Sequence, residues 1–152
     1  MDTSALSQTE LDLVTTATSI IDAITRPIPF ETHISSVSCA ALSSAGRIFT
    51  GVNFTHFTGG PCAEHVALGN ANAAGIMNRA TEGEVLTLIV AVFDRGRGVV
   101  NPCGKCRQIL LDYHAGIRVV VNEGGVYRCV GIRELLPYAF EHVVRRRAAS
   151  DK

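Results

Sequence analysis

Residues 6–25 place Leu6, Leu13, Ala17, Ile20, Ile21 and Ile24 at three- and four-residue spacings, the period of a helix with one apolar face. Ser7 and Glu10 precede that stripe as a capping box. Arg26-Pro27-Ile28-Pro29 ends it, because two prolines remove amide donors and turn their predecessors away from helical backbone. Val37–Leu42 and Arg47–Val52 then read as strands joined by the turn Ser43-Ser44-Ala45-Gly46. The loop Asn53–Pro61, rich in glycine and aromatics, leads into an alanine-rich segment from Cys62 to about Met77. Its small residues predict a helix packed closely on a sheet.

Val85–Phe93 is a continuous apolar run, which suits a central strand buried on both faces. A Gly/Arg loop at Asp94–Val100, a short helix at Cys103–His114 and an apolar strand at Ile117–Val121 follow. After Gly124-Gly125 the chain returns as a strand at Val126–Val130, and Gly131–Leu136 is a last short helix stopped by Pro137. The order α-β-β-α-β-α-β-β-α predicts a mixed five-stranded sheet flanked by helices.

Composition narrows the class. At 152 residues the chain has the size of one domain, 1–152, with residues 143–152 as a basic tail. Arg145, Arg146, Arg147 and Lys152 against Asp151 put +3 on the last eight residues and leave −3 on the rest. A slightly acidic body argues against binding a phosphate backbone, which needs a basic face, so no nucleic-acid partner is expected. Charged residues are 18% of the chain and hydrophobic ones 47%, which excludes disorder and predicts surface covered by other subunits. No apolar run approaches the roughly 18 residues that span a bilayer, and residues 1–14, with no basic and apolar leader pattern, lead to the expectation of no secretion signal. A cytoplasmic protein without a membrane partner is expected, in which five cysteines are ligands or free thiols rather than a disulfide framework.

Two segments carry candidate chemistry: Gly60-Pro61-Cys62-Ala63-Glu64 and Asn101-Pro102-Cys103-Gly104-Lys105-Cys106-Arg107-Gln108. Cys103 and Cys106 would project from one side of a first helical turn, and Cys62 would add a third thiolate from another helix. Three protein ligands leave one tetrahedral position open, the arrangement of a catalytic zinc. The Cys103/Cys106 pair alone also fits a thioredoxin-type redox site. Cys62-Ala63-Glu64 separates the two readings, because redox chemistry has no use for a third cysteine and a nearby carboxylate. Metal-assisted hydrolysis needs both, with Glu64 as proton shuttle. A structural zinc module, in which the metal ties two helices to the sheet, is the alternative from another class. Three thiolates outweigh the charge of Zn²⁺, so something positive must compensate: helix N-terminal amides, with Lys105 favoured over Arg107 for the additional charge.

At these residues the sequence resembles the zinc-dependent cytidine deaminase superfamily, whose signature is C-A-E followed by P-C-x-x-C. AALSSAGRIFTGVN (40–53), HFTGGPCAE (56–64), PCGKCRQ (102–108) and GIRELLP (131–137) resemble its blasticidin-S deaminase branch from about Leu6 to Pro137. The resemblance implies an α/β/α sandwich assembled as a homotetramer, and one Zn²⁺ per chain held by Cys62, Cys103 and Cys106. It also implies Glu64 as catalytic acid/base and hydrolytic removal of a cytosine 4-amino group with release of ammonia. Ser36, Asn53, Arg97 and Phe140 fall at substrate-contacting positions, His142 near another. Cytidine-acting members carry Asn-x-Glu to hold the ribose hydroxyls, where this chain has Asn53-Phe54-Thr55. A pocket without that carboxylate but with Arg97 nearby favours blasticidin S, an antibiotic that bears a carboxylate, over cytidine or deoxycytidine.

The remaining residues have bland readings: Cys39 and Cys129 as buried thiols, His65 as a packing or interface residue, and His56 as a shaper of the pocket loop. His33 and His114 read as surface residues, Tyr113 and Tyr127 as core or interface aromatics.

Overall fold

The computed structural model describes residues 5–25, 34–76 and 83–141. The predicted stop at Arg26–Pro29, His33, Met77, His142 and the Arg145–Arg147 run lie outside them.

Helix α1 (Gln8–Thr25) starts on the capping box: the Ser7 amide donates to Glu10 Oε2 at 2.7 Å and the Glu10 amide to Ser7 Oγ at 3.5 Å. Strands β1 (Val37–Ser43) and β2 (Ile48–Val52) form the first hairpin. Helix α2 spans Ala63–Ala73, strand β3 Leu86–Phe93 and helix α3 Gly104–Tyr113. Strands β5 (Arg118–Glu123) and β6 (Val126–Gly131) lead into a 3-10 turn at Ile132–Leu135. The sheet order is β2-β1-β3-β5-β6, antiparallel except for the parallel pair β3–β5.

The structure differs from the sequence reading at three places. Val99–Val100 is not loop but a two-residue strand, β4, folded back on Ala91 and Val92; Val99 is buried, and its amide donates to the Tyr127 hydroxyl at 2.9 Å. Helix α2 ends before Met77 because Gly75 adopts φ 95°, a left-handed conformation that stops a helix. His114, the residue that caps the C-terminus of α3, is buried rather than on the surface.

Side chains alternate across the sheet and form two cores. Leu13, Ala17 and Ile21 of α1 pack on Ala40, Val90, Val92 and Val120 from one face. Ala63, Ala67 and Ala71 of α2, with Leu110 and Leu111 of α3, pack on Cys39, Ala41, Ile89 and Val119 from the other. The result is a three-layer α/β/α sandwich. Leu86 and Leu88 stand two apart yet serve opposite cores, because the register of β1 on β3 shifts at Leu42/Ser43.

Gly51 of β2 is where α2 sits closest. A Cβ there would lie 2.4 Å from the Ala67 nitrogen and 2.5 Å from the Ala63 oxygen. Small residues on both surfaces set the height of α2, and with it the placement of its N-terminal turn.

Neither ring nitrogen of His114 has a hydrogen-bond partner among the described residues. Burial holds its pKa below the usual imidazole value. The neutral form is favoured on folding, so the stabilisation is present above about pH 6.5, the usual histidine value, and is lost as pH falls through the lowered pKa. Urea unfolding should show a lower midpoint at pH 5.5 than at pH 7.5. His114→Leu should narrow that difference, and an unchanged difference would remove His114 as its source.

Candidate active site and metal centre

Pro61 and Pro102 each precede a cysteine that caps a helix. Cys62 (φ −66°, ψ 155°) and Cys103 (φ −68°, ψ 167°) are extended N-cap residues of α2 and α3. Their carbonyls accept the first helical bonds, from His65 and Val66 at 3.0 and 3.2 Å and from Arg107 at 3.0 Å. An extended N-cap turns its side chain across the helix mouth. Both thiols therefore lie at helix N-termini, where amides point outward.

Cys62 Sγ lies 3.8 Å from Cys103 Sγ, which lies 3.6 Å from Cys106 Sγ, and all three sulfurs are within 4.8 Å of one another. All are free thiols. Zinc bonded tetrahedrally to sulfur at about 2.3 Å requires sulfurs about 3.8 Å apart. The three thiols fit one zinc.

Their electrostatics fit it too. Burial pushes the Cys106 thiol up, with Glu64 and the two neighbouring sulfurs adding to the effect. Burial also raises Cys62. Burial acts the same way on Cys103, but the nearby backbone N–H groups of Cys106 and Lys105 and the neighbouring thiols favour its thiolate and bring it below the usual thiol value. Three crowded sulfurs beside a carboxylate resist ionising together, and a divalent cation reverses that resistance.

Glu64, in the first turn of α2, is 7% exposed. It lines a cavity of about 160 Å³ with Val37, Asn53, Cys62, Val100, Asn101 and Cys103. Asn53 is fixed from below: its Oδ1 accepts from the Ser36 and Val37 amides, both at 2.8 Å, and its Nδ2 donates to Ser36 Oγ at 3.3 Å. With the carbonyl side occupied by two amides, Asn53 offers the cavity an N–H donor.

Two residues expected at the substrate do not line this cavity within the protomer. Arg97, a non-glycine residue at φ 52°, ion-pairs with Asp22 and donates to the Asp94 carbonyl and, at 3.3 Å, to Thr25 Oγ1. This ties the β3–β4 turn to the end of α1. Phe140 is 73% exposed and lines a separate recess of about 840 Å³ with Leu111, Arg133 and Tyr138. Tyr113 is exposed as well, whereas Tyr127 is core. His56 is exposed in a local turn, its Nδ1 2.6 Å from Thr58 Oγ1.

Arg107 serves the scaffold: Nε donates to the Pro102 carbonyl at 2.8 Å and Nη1 to the Leu135 carbonyl at 3.1 Å. Lys105 is exposed. Two residues gain roles the sequence did not signal. Asn101 lines the cavity and exchanges two hydrogen bonds with the Asn122 backbone, at 2.8 and 3.0 Å, which pins the approach to Cys103 onto β5. His65 Nε2 lies 3.7 Å from Cys106 Sγ.

Residues 25–123 match the family model described as the cytidine and deoxycytidylate deaminase zinc-binding region. The chain is 30% identical to a blasticidin-S deaminase of Bacillus cereus over 142 residues, covering 92% of this chain and 98% of that protein. It is 35% identical to a cytidine deaminase of Mycobacterium tuberculosis over 107 residues, covering 69% and 72%. The crystal structure of the cytidine deaminase from Mycobacterium tuberculosis superposes with a TM-score of 0.65 at 27% identity, covering 87% of this chain and 97% of that one. The chain belongs to the cytidine deaminase superfamily and is a zinc-dependent aminohydrolase with one zinc per chain. Among the described residues no helix is long and apolar enough to cross a membrane.

Proposed function

We propose that the chain removes the 4-amino group of a cytosine ring carried by blasticidin S, releasing ammonia, with Cys62, Cys103 and Cys106 as zinc ligands and Glu64 as acid/base. The observation that carries this reading is the buried Glu64 carboxylate lining a cavity together with two of three clustered sulfurs. Zinc, when bound, supplies the Lewis acidity that lowers the pKa of a water towards neutrality. Glu64 takes a proton from the attacking water and gives it to the ring nitrogen of the substrate; it then takes the remaining proton of the hydroxyl added at the 4-carbon and gives it to the amino group, which leaves as ammonia. Asn53 offers its amide N–H to a sugar oxygen, and Ser36 holds that amide in place.

The preference for blasticidin S over cytidine rests on Asn53-Phe54-Thr55, which offers no carboxylate to ribose hydroxyls, and on Arg97. Arg97, bound to Asp22 outside the Glu64 cavity of its own protomer, would meet a substrate carboxylate across a subunit boundary. Phe140 would reach substrate in the same way. A homotetramer is the proposed assembly, supported by the exposure of Phe57, Tyr138 and Phe140, and cytoplasm is the proposed location.

One charge-assisted hydrogen bond to substrate should favour blasticidin S by about tenfold in kcat/KM. Ammonia release measured side by side on blasticidin S, cytidine and deoxycytidine tests this. A higher kcat/KM for cytidine would replace the reading with a deaminase of pyrimidine salvage.

A further inference from the structure

Cys106 is the most deeply buried of the three clustered thiols, at 1% exposure. Its neighbours are supported unequally. Cys103 is the N-cap of α3, at the mouth of the helix where the first-turn amides are uncommitted. Cys106 is the third residue of that helix, and from Arg107 onward the amides beyond it donate to backbone carbonyls. The side chain that reaches it comes from the other helix. His65, in the first turn of α2, directs Nε2 to within 3.7 Å of Cys106 Sγ. A thiolate only accepts, so the contact is a hydrogen bond when Nε2 carries the imidazole proton.

We infer that His65 is a positioning residue for the metal centre: its Nε2–H donates to the Cys106 thiolate and draws electron density from that sulfur. The inference rests on Cys106 being a zinc ligand. It replaces Lys105 as the side chain that offsets the excess sulfur charge, since Lys105 faces solvent between the ligands while His65 touches a sulfur. The same bond spans the two helices, from the residue after Glu64 to the third cysteine, and so fixes the carboxylate relative to the sulfurs. A ligand stripped of its donor binds metal with the wrong electron density and a looser orientation, a loss that runs to about 10–100-fold in affinity at comparable sites.

The test compares wild type with His65→Phe, which keeps a ring but has no donor, and His65→Gln, which restores an N–H. Zinc affinity is read by chelator competition, and the sulfur-to-metal charge-transfer band is read after cobalt substitution. His65→Phe is expected to weaken zinc binding about tenfold or more and to move the cobalt band to longer wavelength, as a more electron-rich thiolate would. His65→Gln is expected to recover most of both. Should His65→Phe fail to fold, His65→Leu makes the same comparison. Zinc affinity within twofold of wild type and an unmoved band overturn the inference, as does a His65→Gln protein as impaired as His65→Phe. A Cys106→Ser protein that binds zinc as tightly as wild type overturns instead the ligand assignment beneath it.

Discussion

Glu64→Gln is expected to yield a folded, zinc-loaded protein whose kcat falls about 10²–10⁴-fold, the range that a positioned proton carrier contributes. Glutamine has the same shape and can fill the same buried site at the head of α2, but its amide cannot carry the two water protons, one to the ring nitrogen and one to the departing amino group. The carboxylate also raises the pKa of Cys39, Cys62 and Cys106, after burial in each case. Its removal therefore eases ionisation of the sulfurs, and zinc content should stay at one per chain. Steady-state ammonia release paired with metal analysis reads both quantities. Activity above a tenth of wild type would remove Glu64 from the proton path. Loss of zinc with loss of activity would make it part of the metal scaffold instead.

Gly51→Ala, at a residue that touches no reacting group, is expected to impair stability and catalysis together. The added methyl would fall 2.4 Å from the Ala67 nitrogen and 2.5 Å from the Ala63 oxygen, both helix backbone with no rotamer to yield. Helix α2 must lift or tilt, and Cys62 and Glu64 move with its N-terminus. Overpacking of this kind costs about 1–3 kcal/mol, and a displaced Cys62 no longer meets Cys103 at the 3.8 Å separation that zinc needs. Denaturant unfolding should show the lower stability, and metal analysis a reduced zinc content. Wild-type values in both would mean that the sheet yields at β2 and that α2 does not set the site.

The metal centre was legible because its determinants are local. Pro before Cys at a helix start fixes where each thiol points, and Cys103 and Cys106 are brought together by one helical turn. Glu64 follows from its spacing to Cys62. Residues whose placement depends on tertiary contacts were not legible. Arg97 is positioned by Asp22 and Thr25, about seventy residues earlier in the chain, and nothing near it in sequence signals that pairing. His65 reads as a packing residue until α3 brings Cys106 beside it. The burial of His114 depends on how the end of α3 meets β5, and β4 is too short for any periodicity to register. The β1–β3 register shift exchanges the faces of Leu86 and Leu88, which alternation along the strand cannot anticipate.

Zinc K-edge absorption on the purified protein puts the question directly to the metal. The predicted spectrum has three sulfur scatterers at about 2.3 Å and one oxygen or nitrogen at about 2.0 Å, at one zinc per chain. Four sulfurs, fewer than three, or a closed shell with two histidines would contradict a site with three thiolates and one position open to solvent.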